Sequence, residues 1–308
     1  MRRTSGVVLI ALGAFLITLA PLFRFYVADK LISAPADRYG VSRFEAEGAR
    51  YFSVQDLKVL TADLDITVTT RGDVAGATGD TVVWDEFTAV NDVTHSRPHI
   101  TLTQRRSAFD KYTGEAVDCC NANVDRQAVR MQGQLYTFPF GVEKKTYRYF
   151  HSSTRKAFDA VYAGEDTVAG LRAYKFEVRV PETTVDTLEI PASVAGLDRK
   201  GEVEVDRVYE GVNTLWIEPE TGSPVKQQQQ RNEVLKTKDG VQRLDAFVAT
   251  AVMTDASVEE LVRNAEDAKS QIALLKTTIP LVMLVLGVVA AVVGIGIAVV
   301  SRRARARG

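Results

Sequence analysis

Two long uncharged runs bracket the chain, and alternating apolar and polar positions fill most of the space between them. The first run, residues 5–23, reads SGVVLIALGAFLITLAPLF. The second, residues 279–300, reads IPLVMLVLGVVAAVVGIGIAVV. About 19 residues at 1.5 Å rise cover roughly 28 Å, close to the hydrocarbon thickness of a bilayer. Only a helix satisfies its own backbone groups in lipid, so each run is predicted to be a transmembrane helix. Between them, period-2 segments rich in Val, Thr, Tyr and Phe predict strands over 64–70, 81–90, 100–104, 146–151, 156–162, 172–180, 201–209, 214–217, 225–231 and 243–253. Turn clusters such as Gly72-Asp73, Thr113-Gly114 and Asp239-Gly240 separate them. The pattern predicts a mainly β domain: a large antiparallel curved sheet, a sandwich or an open barrel.

Two helical stretches are expected to frame the sheet. One is placed over 43–57. The other begins at Ser257, where Ser257 and Glu260 form a capping box. Val258, Leu261, Val262, Ala265, Ala268, Ile272 and Leu275 then recur at helical spacing, so an amphipathic helix over 257–278 should run into the second span. Gly287, Gly294 and Gly296 of that span lack a G-x-x-x-G spacing but offer a contact face to the first span.

Charge sets the orientation. Arg2 and Arg3 precede the first span, and Arg302, Arg303, Arg305 and Arg307 follow the second. Basic flanks favour the cytoplasm, which places both termini inside and the domain outside. Arg24 and Lys30 oppose this more weakly than the arginine tail supports it. The first span also fits a signal peptide, but no A-x-A site follows and Pro21 sits directly after Ala20, so an uncleaved anchor is expected. The organisation is therefore a cytoplasmic start (1–4), a span (5–23), an extracytoplasmic β domain (24–256), the amphipathic helix (257–278), a span (279–300) and a basic cytoplasmic tail (301–308), in a plasma (inner) membrane.

The net charge of −1 gives no electrostatic footprint for nucleic acid. The two cysteines are neighbours, Cys119 and Cys120, in a compartment that permits disulfides. A vicinal disulfide is the leading reading, beside an intermolecular bridge and two reduced thiols. His95 and His99 lie in HSRPH, where Pro98 forbids a helical two-histidine metal site, and they read as solvated loop residues. His151 has no Ser or Cys partner in sequence, and no phosphate-binding or nucleophile-elbow motif occurs. No metal or cofactor is expected, and acidic pairs such as Asp85-Glu86 and Glu204/Asp206 are not singled out as acid–base groups. The aromatic cluster Tyr136, Phe138, Phe140, Tyr147, Tyr149 and Phe150 reads as ordinary core, or as the lining of an apolar ligand cavity.

Four segments carry a family likeness: AFDKYTGEAVDCC (108–120), YTFPFGVEKKTYRYF (136–150), YAGEDTVAGLRAYKF (162–176) and LWIEPETGSPV (215–225). With a span at each end, the chain resembles the actinobacterial two-pass family labelled PorA-family porins. The resemblance implies an envelope protein associated with glycolipid and lipoglycan assembly, with no established catalytic residue. An outer-membrane barrel has no apolar helices, so the porin label does not fit a chain with two. The segments AGEDTVAGLRAYKFEV (163–178) and TLWIEPETGSPVKQQQQ (214–230) are also similar in pattern to the strand pairs of bacterial lipoprotein carriers, which wrap a curved sheet around acyl chains. The expectation is a non-enzymatic envelope membrane protein. Its β domain binds membrane lipid, a lipid or glycolipid ligand, or a membrane-embedded envelope-synthesis partner. The alternatives are a polysaccharide-acting enzyme and a receptor or sensor.

Overall fold

The computed structural model describes residues 2–305; Arg307, expected to help set the topology, lies outside them, and the side chains of Arg2, Arg3 and Arg305 are likewise not described. The chain divides into two compact units, a sheet unit Ala34–Ala265 and a helical unit from Met1–Ser33 and Glu266–Gly308.

The sheet unit holds twelve strands: β1 (Tyr39–Ser53), β2 (Lys58–Gly72), β3 (Thr81–Asp92), β4 (Arg97–Asp110), β5 (Asn123–Val124), β6 (Gln127–Ala128), β7 (Tyr147–His151), β8 (Lys156–Val168), β9 (Leu171–Pro191), β10 (Glu202–Ile217), β11 (Pro224–Thr237) and β12 (Gln242–Met253). They form one antiparallel sheet in the order β6-β5-β4-β3-β2-β1-β12-β11-β10-β9-β8-β7, curled as a half-barrel. Each half is a meander of hairpins, and β1 pairing with β12 joins the halves. The segments predicted over 201–209 and 214–217 are one strand, β10. A strap links the two flanks: Ala116 bridges Phe109 of β4, and Gln134 bridges Glu115 and, in parallel, Tyr149 of β7.

The predicted helix over 43–57 is corrected to strand β1 and its turn. The inward residues Phe44, Ala46, Ala49 and Tyr51 are buried, but a bulge between Ala46 and Ala49 breaks the alternation. The resulting spacing of two, three and two mimics a helical face. The second helix, α3 (Asp255–Ala273), starts earlier than the capping box suggests. Thr254 Oγ1 accepts the Ser257 N–H at 3.4 Å, so Thr254 is the N-cap. Ser257 Oγ instead accepts the Arg43 N–H of β1 at 2.9 Å. Val258, Val262 and Ala265 of α3 join the largest apolar cluster, with Phe44, Ala46, Leu64 and Met253 on one wall and Leu171, Ala173, Trp216 and Val225 on the other. The first turns of α3 therefore fill part of the concave apolar face.

In the helical unit, α1 (Arg2–Leu22) continues through a π-helical turn (Phe23–Val27) into α2 (Ala28–Leu31). A second π turn (Leu274–Thr278) leads into α4 (Ile279–Arg305). Helices Thr4–Leu31 and Asp255–Arg303 are long and apolar enough to cross a membrane. α1 and α4 meet through glycines: a Cβ on Gly13 would lie 2.6 Å from the Gly287 carbonyl oxygen, and one on Gly294 would lie 2.7 Å from that of Gly6. Gly296 faces no neighbour within 4 Å and takes no part in this contact. Val8, Phe15, Val282 and Val292 are exposed on the helices' outer surfaces.

Candidate functional site

The strands carry their inward side chains in period 2, and several inward positions hold charged or polar groups where apolar ones would be expected. On β3, Glu86 follows Trp84 in the inward phase. Opposite it on β4 stands Arg105. Arg105 Nη2 donates to Glu86 at 2.9 Å and Nη1 donates to Ser152 Oγ at 3.1 Å. The guanidinium sits 4.3 Å above the Tyr136 ring, a contact of about 0.5–2 kcal/mol. Burial pulls the Arg105 pKa down, but the Glu86 carboxylate and neighbouring tyrosines outweigh it and hold it above its usual value. Burial pushes the Tyr136 hydroxyl up to about 12.

His151 ends β7 and is 3 % exposed. Its Nε2 lies 3.0 Å from the Tyr209 hydroxyl and its Nδ1 lies 3.1 Å from Thr154 Oγ1. Gln229 Nε2 donates to the Tyr209 hydroxyl at 3.2 Å, and the Thr154 N–H donates to His151 Nδ1 at 3.4 Å. Burial, then the charges of Arg231 and Arg105, lower the His151 pKa from 6.5 to about 3, so the ring is neutral. Beyond it, Glu233 is 1 % exposed and clasped by two arginines. Arg231 Nη2 lies 2.7 Å from Oε1, and Arg207 pairs with Oε2. Glu86, Arg105, His151, Tyr209, Gln229, Arg231, Glu233 and Arg207 form a polar belt within the sheet unit. They come from β3, β4, β7, β10 and β11.

Five of the six aromatic candidates divide between two packed clusters. Phe138 meets Tyr147 at 5.1 Å, Phe176 at 4.9 Å and Tyr149 at 6.5 Å between centroids. Tyr136 meets Trp84 at 5.1 Å and Phe109 at 5.6 Å, and Phe150 belongs to the same cluster as these two. Phe140 is half-buried. None of the six lines either of two surface recesses. One, of about 370 Å³, lies over β7, β8 and β9 and is lined by residues including Arg148, Asp159, Val161, Glu177 and Arg179. The other, of about 80 Å³, adjoins Arg105.

The Cys119 and Cys120 sulfurs lie 2.18 Å apart, within bonding distance. Arg106 Nε donates to the Cys120 carbonyl at 3.0 Å and its Nη1 donates to Asp85. His95 Nδ1 lies 2.8 Å from Asp92, and His99 is exposed. Among the described residues no group of three or more His, Cys, Asp or Glu is placed to hold a metal. Arg302 and Arg303 are exposed at the end of α4. The polar belt is absent from the expectations above because its members are distant in sequence; charged residues in the inward phase of β3, β4 and β11 are the signal that points to it.

The family profile described as Porin PorA matches residues 5–296. The chain belongs to the PorA porin family. Two curated PorA-family relatives are both named Porin PorA. The one from Corynebacterium amycolatum is 26 % identical over 203 residues, covering 53 % of each chain. The one from Corynebacterium resistens (strain DSM 45100 / JCM 12819 / GTC 2026 / SICGH 158) is 25 % identical over 235 residues, covering 56 % of this chain and 57 % of the relative. The chain thus spans somewhat over half the length of the curated PorA-family relatives it matches. Family and apolar helices together make it a membrane protein.

Proposed function

We propose that this is a two-pass, non-enzymatic protein of the bacterial envelope, held in the plasma membrane with both termini in the cytoplasm. Its sheet unit lies on the outer side and binds or presents a lipid, a glycolipid or a membrane-embedded partner in envelope biogenesis. The observation that carries the reading is the α1–α4 pair, packed glycine to glycine with apolar side chains exposed outside, as two helices in lipid require. The concave apolar face supports the lipid part, because it already accepts the apolar stripe of α3.

The relatives' name favours a second reading, a channel. A barrel wall in lipid needs an apolar outward band. Here outward positions carry ion pairs such as Arg148–Asp159 and Arg106–Asp85, which supports placing the sheet in water. The test is lipid extraction and mass spectrometry of the full chain purified from its own envelope. Recovery of a stoichiometric lipid is expected. An empty protein that conducts ions in planar bilayers would favour the channel.

A further inference from the structure

The recess beside Arg105 has walls unlike the rest of the surface. It is lined by Glu86, Thr103, Gln104, Arg105, Val124, Asp125, Ser152, Ser153 and Arg155, of which only Val124 is apolar. The floor is Arg105, whose side chain is 8 % exposed. Two of its nitrogens are used, by Glu86 and Ser152, but Nε has no hydrogen-bond partner among the described residues. A buried guanidinium N–H without a partner has lost its hydration with nothing in exchange, so it calls for an acceptor.

The walls say which acceptor. Two carboxylates, Glu86 and Asp125, face two guanidinium groups, Arg105 and Arg155, so the formal charge of the lining cancels. An anion would meet Glu86 and Asp125; a cation would meet Arg105 and Arg155. An acyl chain would leave Nε orphaned. A neutral hydroxyl both accepts from a guanidinium and donates to a carboxylate, and several hydroxyls in a rigid array would use both wall types at once. Ser152 adds to this: its oxygen accepts from Arg105, which leaves its own proton directed elsewhere. Local backbone fixes the rim. The β5–β6 hairpin turns through Asp125 and Arg126, at φ 51° and 66°, and Asp125 Oδ1 accepts the Gln104 N–H at 2.9 Å. A volume of about 80 Å³ holds a few waters or one ring edge.

We propose that this recess is a binding site for a neutral polyhydroxylated group, the exposed edge of a single sugar or cyclitol ring. The recess shares no residue with the apolar cluster that receives α3, and the site stands whether or not that cluster takes a lipid. The ring lays adjacent hydroxyls against Glu86 and Asp125 and turns a hydroxyl oxygen toward the Arg105 guanidinium.

The test uses the full chain in detergent micelles and ligand-observed saturation-transfer NMR, with millimolar methyl hexosides and myo-inositol as probes and sodium sulfate as competitor. Ring-proton signals are expected from at least one probe. They should weaken at least about tenfold in affinity in Ser153→Trp and in Thr103→Trp, which add bulk to two lining positions on different elements. Both positions are exposed, and thermal unfolding checks that each variant is folded. Sulfate should not compete. The proposal is overturned by silence from every probe, by signals that both folded variants leave unchanged, or by displacement with sulfate, which would make the site an anion site.

Discussion

Single residues in the polar belt set measurable stabilities. Glu233 is buried between Arg207 and Arg231, and Glu233→Ala would leave two guanidinium groups facing each other without their anion. Breaking a buried pair costs about 3–5 kcal/mol, so the denaturant midpoint should fall steeply. A fall below about 1 kcal/mol would mean that solvent already reaches the clasp. His151 makes the chain acid-sensitive. Its folded pKa is lowered to about 3 against an unfolded value near 6.5. The unfolded chain therefore takes up the proton first as pH falls. The contribution of neutral His151 is complete above about pH 6.5. It is lost between about 6.5 and 3, at up to about 1.4 kcal/mol per pH unit. In His151→Gln this loss should be missing, so wild type and variant should diverge in acid-induced destabilisation; parallel curves would show that the ring is not held neutral. The cysteine pair has its own readout. Alkylation of the intact protein should find no free thiol at Cys119 or Cys120, and a non-reducing gel should show monomer; a reducible dimer band would indicate an intermolecular bridge instead. Little of this was legible from the chain: Arg105 meets Glu86, and Arg207 meets Glu233, across a hairpin, but His151 of β7 and Tyr209 of β10 are two strands removed in the sheet and meet only once it curls.

Elements were far more legible. Strand after strand follows the period-2 pattern because one face is buried and the other is not, and both apolar runs are helices. The misreading of β1 as helix has a local cause: the bulge between Ala46 and Ala49 shifts the inward set by one position, and periodicity alone cannot separate a bulged strand from a short amphipathic helix. The glycine face of the second span was visible, but its partners Gly6 and Gly13 were not, since heptad-spaced glycines carry no helix-pair motif by themselves. This contact gives a matched pair of substitutions. Gly13→Leu places a side chain where the Gly287 carbonyl oxygen lies 2.6 Å from a Cβ, whereas Gly296→Leu meets nothing within 4 Å. In detergent, Gly13→Leu should lower the thermal midpoint of the helical unit by several degrees and Gly296→Leu should leave it near wild type. Equal effects would contradict the glycine-to-glycine packing.

At the scale of the whole molecule, the net charge of −1 offers no electrostatic footprint for nucleic acid, and the two spans with their arginines set an expected topology. The ligand was beyond reach of sequence because cavity shape depends on how twelve strands curl and on which side chains fill the interior. The aromatic run illustrates this: the curl of the sheet packs five of its six members into two clusters instead of a shared wall. The central claim is that a water-exposed sheet domain stands outside the cytoplasm on a two-helix anchor. It is tested most directly by reporter fusions in the native host, with alkaline phosphatase and a fluorescent protein joined at residue 150 and after Gly308. The account predicts phosphatase activity without fluorescence at residue 150, and fluorescence without phosphatase activity after Gly308. The reverse pattern, or the same sidedness at both positions, would contradict it.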